Sequence, residues 1–167
     1  GRLAQVGRGD IDLGLLEDYW VRRKYHHTIS APLVYALHEA LAEVEAEGLE
    51  PRWRRHQAVH DRLVQSLQGQ GLDILPPQAE RLWNLNAVTV PAGIDEAAVR
   101  LHLLQRSHIE IGAGLGPLAG RIWRVGLMGF GSTENNVLLL LAALERCLKV
   151  EGFAVKGSGV SAAADYY

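Results

Sequence analysis

An α+β fold is predicted by three features of this 167-residue sequence. Two long stretches near its start carry apolar residues every three or four positions. Short β-branched runs follow, and helical spacing returns between and after them. Strands mixed with helices over short connections make a small sheet with helices on one face. Apolar residues at 48% and charged residues at 22% are ordinary for a globular chain. The length suits one domain or an unequal pair.

The elements follow in order. Residues 1–11 lack periodicity and read as loop, and Leu15, Leu16 and Tyr19 give a helix over residues 12–20. Leu33, Leu37, Leu41 and Val44, backed by Glu39, Glu43, Glu45 and Glu47, give an amphipathic helix over residues 31–47. Gly48 ends it as a C′ glycine, and Pro51 suits the first turn of another helix. That helix places Trp53, His56, His60, Leu63 and Leu67 on one face and fades at Gly69 and Gly71. Residues 73–75 and 87–90 read as strands, the first stopped by Pro76 and Pro77 and the second by Pro91. Asp95 caps a helix through Gln105. Residues 109–111 read as a strand leading into the glycine-rich residues 112–117. The strand over residues 122–127 sends Trp123, Val125 and Leu127 to one face and Arg124 to the other. Ser132 or Thr133 then caps an apolar helix through Val137, Leu140, Leu141, Leu144 and Leu148, and residues 161–166 suggest a short last helix. A boundary near Gly48 separates a connector, residues 1–48, from a C-terminal small domain, residues 49–167.

Composition narrows the function. Seventeen Lys and Arg stand against nineteen Asp and Glu without a block of like charge, which argues against nucleic acid or an anionic membrane as partner. Cys147 is the single cysteine, so neither an internal disulfide nor a multi-cysteine zinc site can form. The longest strictly apolar run, residues 137–144, is too short to span a bilayer. Residues 1–10 are polar and glycine-rich and do not read as a signal peptide. A cytoplasmic protein is expected.

Gly112, Gly114 and Gly116 do not form a dinucleotide fingerprint, because Pro117 stands where the third glycine belongs. A turn needing positive φ explains them better. His56 and His60 have metal-ligand spacing on a helix, but no carboxylate or cysteine completes a set nearby, so no metal is expected. His102 and His108 are read the same way, and Cys147 packs with Leu140 and Leu144 rather than acting as a nucleophile. Tyr25-His26-His27-Thr28 places four hydrogen-bonding side chains just ahead of a helix. They suit an anion such as phosphate, although N-capping by Thr28 or Ser30 explains them equally. Arg124 follows the glycine-rich loop on the face away from three large apolar residues. Its guanidinium either offers a planar fork to a carboxylate or reaches solvent.

Tyr25-His26-His27-Thr28-Ile29-Ser30 with its helix, residues 109–117, and the Gly-Arg-Ile-Trp-Arg-Val-Gly-Leu-Met-Gly run over residues 120–129 together resemble the class V aminotransferases. The likeness is to the alanine–glyoxylate and serine–glyoxylate (serine–pyruvate) branch, from about residue 12 to the tail. It implies the C-terminal small domain and connector helices of a fold-type-I enzyme, pyridoxal 5′-phosphate as cofactor, small amino acids and 2-oxo acids as substrates, and a homodimer. It implies that Tyr25 and Thr28 reach the cofactor phosphate of the neighbouring subunit and that Arg124 holds the substrate carboxylate. In that family the Schiff-base lysine, the ring-stacking aromatic and most of the phosphate cup lie ahead of the Tyr-His-His-Thr motif. Only 24 residues precede Tyr25 here, and none of Lys24, Lys149 and Lys156 matches the family lysine. No catalytic residue is therefore expected. The chain reads as the C-terminal half of an enzyme passing an amino group from alanine or serine to glyoxylate or pyruvate, inactive when alone. The alternative is a non-catalytic, truncated interaction or dimerisation module. A small-molecule regulatory domain shares the element order but leaves Tyr25 to Thr28 unexplained.

Overall fold

The computed structural model describes residues 13–25 and 28–160. Residues 1–11, His26, His27 and the helix expected over residues 161–166 lie outside the described residues. The chain divides into two compact units, Gly1–Glu47 and Gly48–Tyr167.

The first unit holds α1 (Leu13–Val21) and α2 (Ala31–Glu47). Asp18 closes α1 twice over. Its carbonyl accepts from the N–H groups of Arg22 and Lys24, both at 3.1 Å, and its carboxylate pairs with the same two side chains at 2.8 and 3.6 Å. The observed α2 has the bounds that its apolar period predicts. None of its residues is buried.

The second unit runs α3 (Leu49–Gly69), β1 (Leu85–Thr89), α4 (Glu96–Ser107), β2 (Gly112–Ala113), β3 (Ile122–Gly126) and α5 (Glu134–Val150). Gly48, at φ +81°, makes the turn into α3 that a side chain would resist. Asp95 caps α4 by accepting from the N–H groups of Ala97 and Ala98 at 2.9 and 3.1 Å. At α5 the cap is Thr133 rather than Ser132, with Oγ1 accepting from Asn136 N–H. The strands form one antiparallel sheet in the order β1-β3-β2.

Three expectations need correction. Residues 109–111 are not a strand: Ile109 N–H bonds the Leu103 carbonyl at the end of α4, Ile111 enters the core, and the ladder begins only at Gly112. Residues 73–75 make a single bridge, Ile74 opposite Val88, because Pro76 has no N–H with which to extend the pairing. Trp53 lies on the α3 face predicted for the core but is exposed, near the helix start.

The core joins Val59, Leu63 and Leu67 of α3, Val99 and Leu103 of α4, and Leu141, Leu144 and Leu148 of α5 to Val88, Trp123 and Val125 of the sheet. Three helices thus cover one sheet face, and each fully buried Leu or Val contributes roughly 1.5–3 kcal/mol. Trp123 is wholly buried and its indole N–H donates to the Glu96 carbonyl at 3.2 Å, tying β3 to α4. Among the described residues no helix is long and apolar enough to cross a membrane.

Candidate functional site

Because Trp123 and Val125 face the core, Arg124 between them must face away, and it is half-buried there. Its direct partners across the sheet are Ala87 on β1 and Gly112 on β2. No large side chain flanks it in that row. A Cβ added at Gly112 would sit 3.2 Å from Arg124 Nη2 and 3.3 Å from Nε, so the bare glycine is what lets the guanidinium lie down. Nε donates to the Ala113 carbonyl at 2.7 Å and fixes the plane of the group. Nη1 and Nη2 keep no partner among the described residues. Two donors in a fixed plane match a carboxylate. The glycine-rich loop behind them is tightly wound: a Cβ at Gly114 would lie 1.9 Å from the Leu118 carbonyl oxygen, and Gly116 supplies the expected positive φ, at +53°.

In the first unit the segment between α1 and α2 brings Tyr25 and Thr28 together, with their hydroxyl oxygens 2.8 Å apart and both residues exposed. One of the two O–H groups is spent on the other, so a phosphate oxygen arriving three to six residues ahead of α2 meets one free donor and gains the second by replacing that mutual bond. The intervening His26 and His27 lie outside the described residues. Lys24 is drawn toward Asp18.

No protein-family model matches the chain. The (S)-ureidoglycine–glyoxylate transaminase of Bacillus subtilis (strain 168) is 39% identical over 158 residues, which are 93% of this chain and 38% of that protein. The crystal structure of ureidoglycine–glyoxylate aminotransferase from Bacillus subtilis matches with a TM-score of 0.84 at 40% identity, covering 93% of this chain and 41% of that one. The alanine–glyoxylate aminotransferase of Nostoc sp. matches with a TM-score of 0.75 at 46% identity, covering 82% and 37%. The chain belongs with the class V aminotransferases. It spans about two fifths of the length of these relatives, and its fold is that of the C-terminal small domain with connector helices of a fold-type-I aminotransferase.

Within this aminotransferase domain, sequence reasoning missed a clamp on the loop that leaves β3. Arg55 Nη1 donates to the carbonyls of Gly129 and Ser132 at 3.1 and 2.7 Å. Gly129 N–H donates to His56 Nε2 at 3.2 Å, so His56 carries its proton on Nδ1 and gives it to the Arg52 carbonyl at 2.8 Å. Both side chains sit on α3, and the loop begins within a few residues of Arg124. These bonds join residues more than seventy positions apart, and no local pattern announces them. His60 is buried, with Nδ1 2.7 Å from Asn86 Oδ1. No group of three or more His, Cys, Asp or Glu side chains is placed to hold a metal among the described residues. Cys147 is buried, and that burial pushes its thiol up.

Proposed function

We propose that this chain supplies the substrate-carboxylate site, and part of a phosphate site, to a pyridoxal-phosphate aminotransferase. The enzyme would pass an amino group from a small amino acid, alanine or serine, to glyoxylate or pyruvate. One observation carries the reading: Arg124 is tied through Nε while neither Nη group has a partner among the described residues. The amino acid and the oxo acid of a transamination share one group, the carboxylate, and a single planar fork can hold both. The names of the relatives support glyoxylate as acceptor, and they offer alanine and ureidoglycine as donors.

The residues present fit the cofactor, because the paired hydroxyls of Tyr25 and Thr28 stand ahead of α2 and can both turn to phosphate oxygens once their mutual bond opens. When bound, pyridoxal phosphate supplies the electron sink that amino-group exchange requires. Tyr25 and Thr28 hold the phosphate of the neighbouring subunit in a homodimer, while Arg124 orients the substrate by its carboxylate. The linking lysine comes from outside these 167 residues. On its own, therefore, the chain should show no borohydride-fixed cofactor, and mass spectrometry finding stoichiometric fixation at Lys24, Lys149 or Lys156 would overturn that.

The two sites are separable by mutation in the complete protein. Arg124→Lys keeps the charge and loses the fork, and should weaken a carboxylate inhibitor by about 1.5–3 kcal/mol, roughly tenfold to somewhat over a hundredfold, with cofactor retained. Thr28→Val should loosen the cofactor and leave inhibitor affinity alone. Titrating each variant with cofactor and with inhibitor decides the matter. Cofactor lost and inhibitor kept in Arg124→Lys would mean the roles are reversed.

A further inference from the structure

We propose that the groove between α4 and α5 binds a small organic polyanion, at a site independent of Arg124. On α5, Ala143, Arg146, Cys147 and Val150 recur at steps of three and four and form one stripe. On α4, His102 and Arg106 stand one turn apart. These side chains, with Lys149 and Ser107, line a hollow of about 680 Å³, a volume usual for small-molecule sites.

The charge in this groove is out of keeping with the chain as a whole. Net charge over the 167 residues is −2, yet Arg106, Arg146 and Lys149 converge here. Lys149 is answered by Glu145 at 2.7 Å, and His102 has Glu151 at 3.6 Å. Arg106 and Arg146 have no hydrogen bond or ion pair among the described residues. A cation in the last helical turn offsets the helix dipole, which accounts for Arg106 and Lys149. It does not account for Arg146, which lies further inside α5. Both guanidinia act on the floor of the groove: burial, the larger effect, raises the Cys147 thiol, and Arg146 and Arg106 pull it down. Two unanswered guanidinia beside a concave, partly apolar surface concentrate a positive field there. A ligand with at least two carboxylate or phosphate groups answers both, while its carbon frame rests on Ala143, Val150 and the Cβ of Cys147.

Citrate and fructose 1,6-bisphosphate probe the two sources of such charge, carboxylate and phosphate, and glucose is the neutral control. Calorimetry on the intact chain at low ionic strength should show saturable binding of at least one polyanion, about one per chain, that weakens as salt is added. Arg106→Gln and Arg146→Gln should each weaken it at least fivefold. Arg54→Gln, an equal loss of charge at an exposed position on α3, should leave it unchanged. Citrate alone binding would assign a carboxylate ligand, and the bisphosphate alone a phosphate ester. A second readout needs no variant: the saturating polyanion should slow iodoacetamide labelling of Cys147 at least threefold. Absence of saturable binding, equal weakening by Arg54→Gln, or an unchanged labelling rate under saturating ligand would each overturn the proposal.

Discussion

Gly112 and Gly114 stand two residues apart and should respond to the same substitution in opposite ways. At Gly114 a methyl group meets backbone, the Leu118 carbonyl oxygen at 1.9 Å, and backbone cannot step aside without unwinding the loop. Gly114→Ala should cost about 2–3 kcal/mol of stability in urea unfolding. At Gly112 the methyl meets the end of a side chain, Arg124 Nη2 at 3.2 Å, which can yield by giving up its tie to Ala113. Gly112→Ala should change stability by under about 1 kcal/mol, yet weaken a carboxylate inhibitor of the complete enzyme roughly three- to tenfold. Equal effects of the two changes on stability would show that the loop has more slack than these contacts allow. Strand alternation alone reveals which way Arg124 points. Whether it meets a carboxylate or only water depends on what lies beside it, and Gly112 and Ala87 become its neighbours only once the register is known.

At the scale of elements, the features legible in the sequence are those written in neighbouring residues. The period of Leu33, Leu37 and Leu41 marks α2, and the Asp95 side chain starts α4 through bonds to residues two and three places on. The alternation of Ile109 and Ile111 is real but does not mark a strand. It records that Ile111 turns inward, not which residues join the ladder, and that choice belongs to β3. A subtler junction sits on α5, where the Glu145 carboxylate gathers Lys149 Nζ at 2.7 Å, Gly159 N–H at 3.3 Å and Gln70 Nε2 at 3.4 Å. The Lys149 bond leads in holding Glu145 below its ordinary value of 4.5, against a smaller opposing push from burial. A carboxylate lowered in the folded state stabilises above its ordinary value, and that contribution fades as pH falls through the lowered one. Glu145→Gln should therefore cost up to about 1 kcal/mol near neutrality. Chemical denaturation across pH should show the gap to the parent chain closing in acid. A gap that widens in acid would contradict the assignment.

At the scale of the whole molecule, α2 leaves Leu33, Leu37 and Leu41 exposed along one face of its 17 residues. A contiguous apolar stripe of this kind marks a surface that associates, and a two-fold pairing would use the same stripe on both copies. The 167-residue chain should self-associate in light scattering, and Leu37→Glu with Leu41→Glu should shift it toward monomer. A clean monomer of the parent chain at high concentration would count against this. The tryptophans offer a way to watch the other unit while such changes are made. Trp20, Trp53 and Trp83 are exposed, whereas Trp123 is wholly enclosed beside Arg124. An aqueous quencher such as acrylamide would darken the first three and leave one blue-shifted emitter. The strand that aims the guanidinium thus carries its own optical gauge: intensity surviving the quencher reports that β3 is still seated under α4, and a red drift would record its release before any assay of chemistry could.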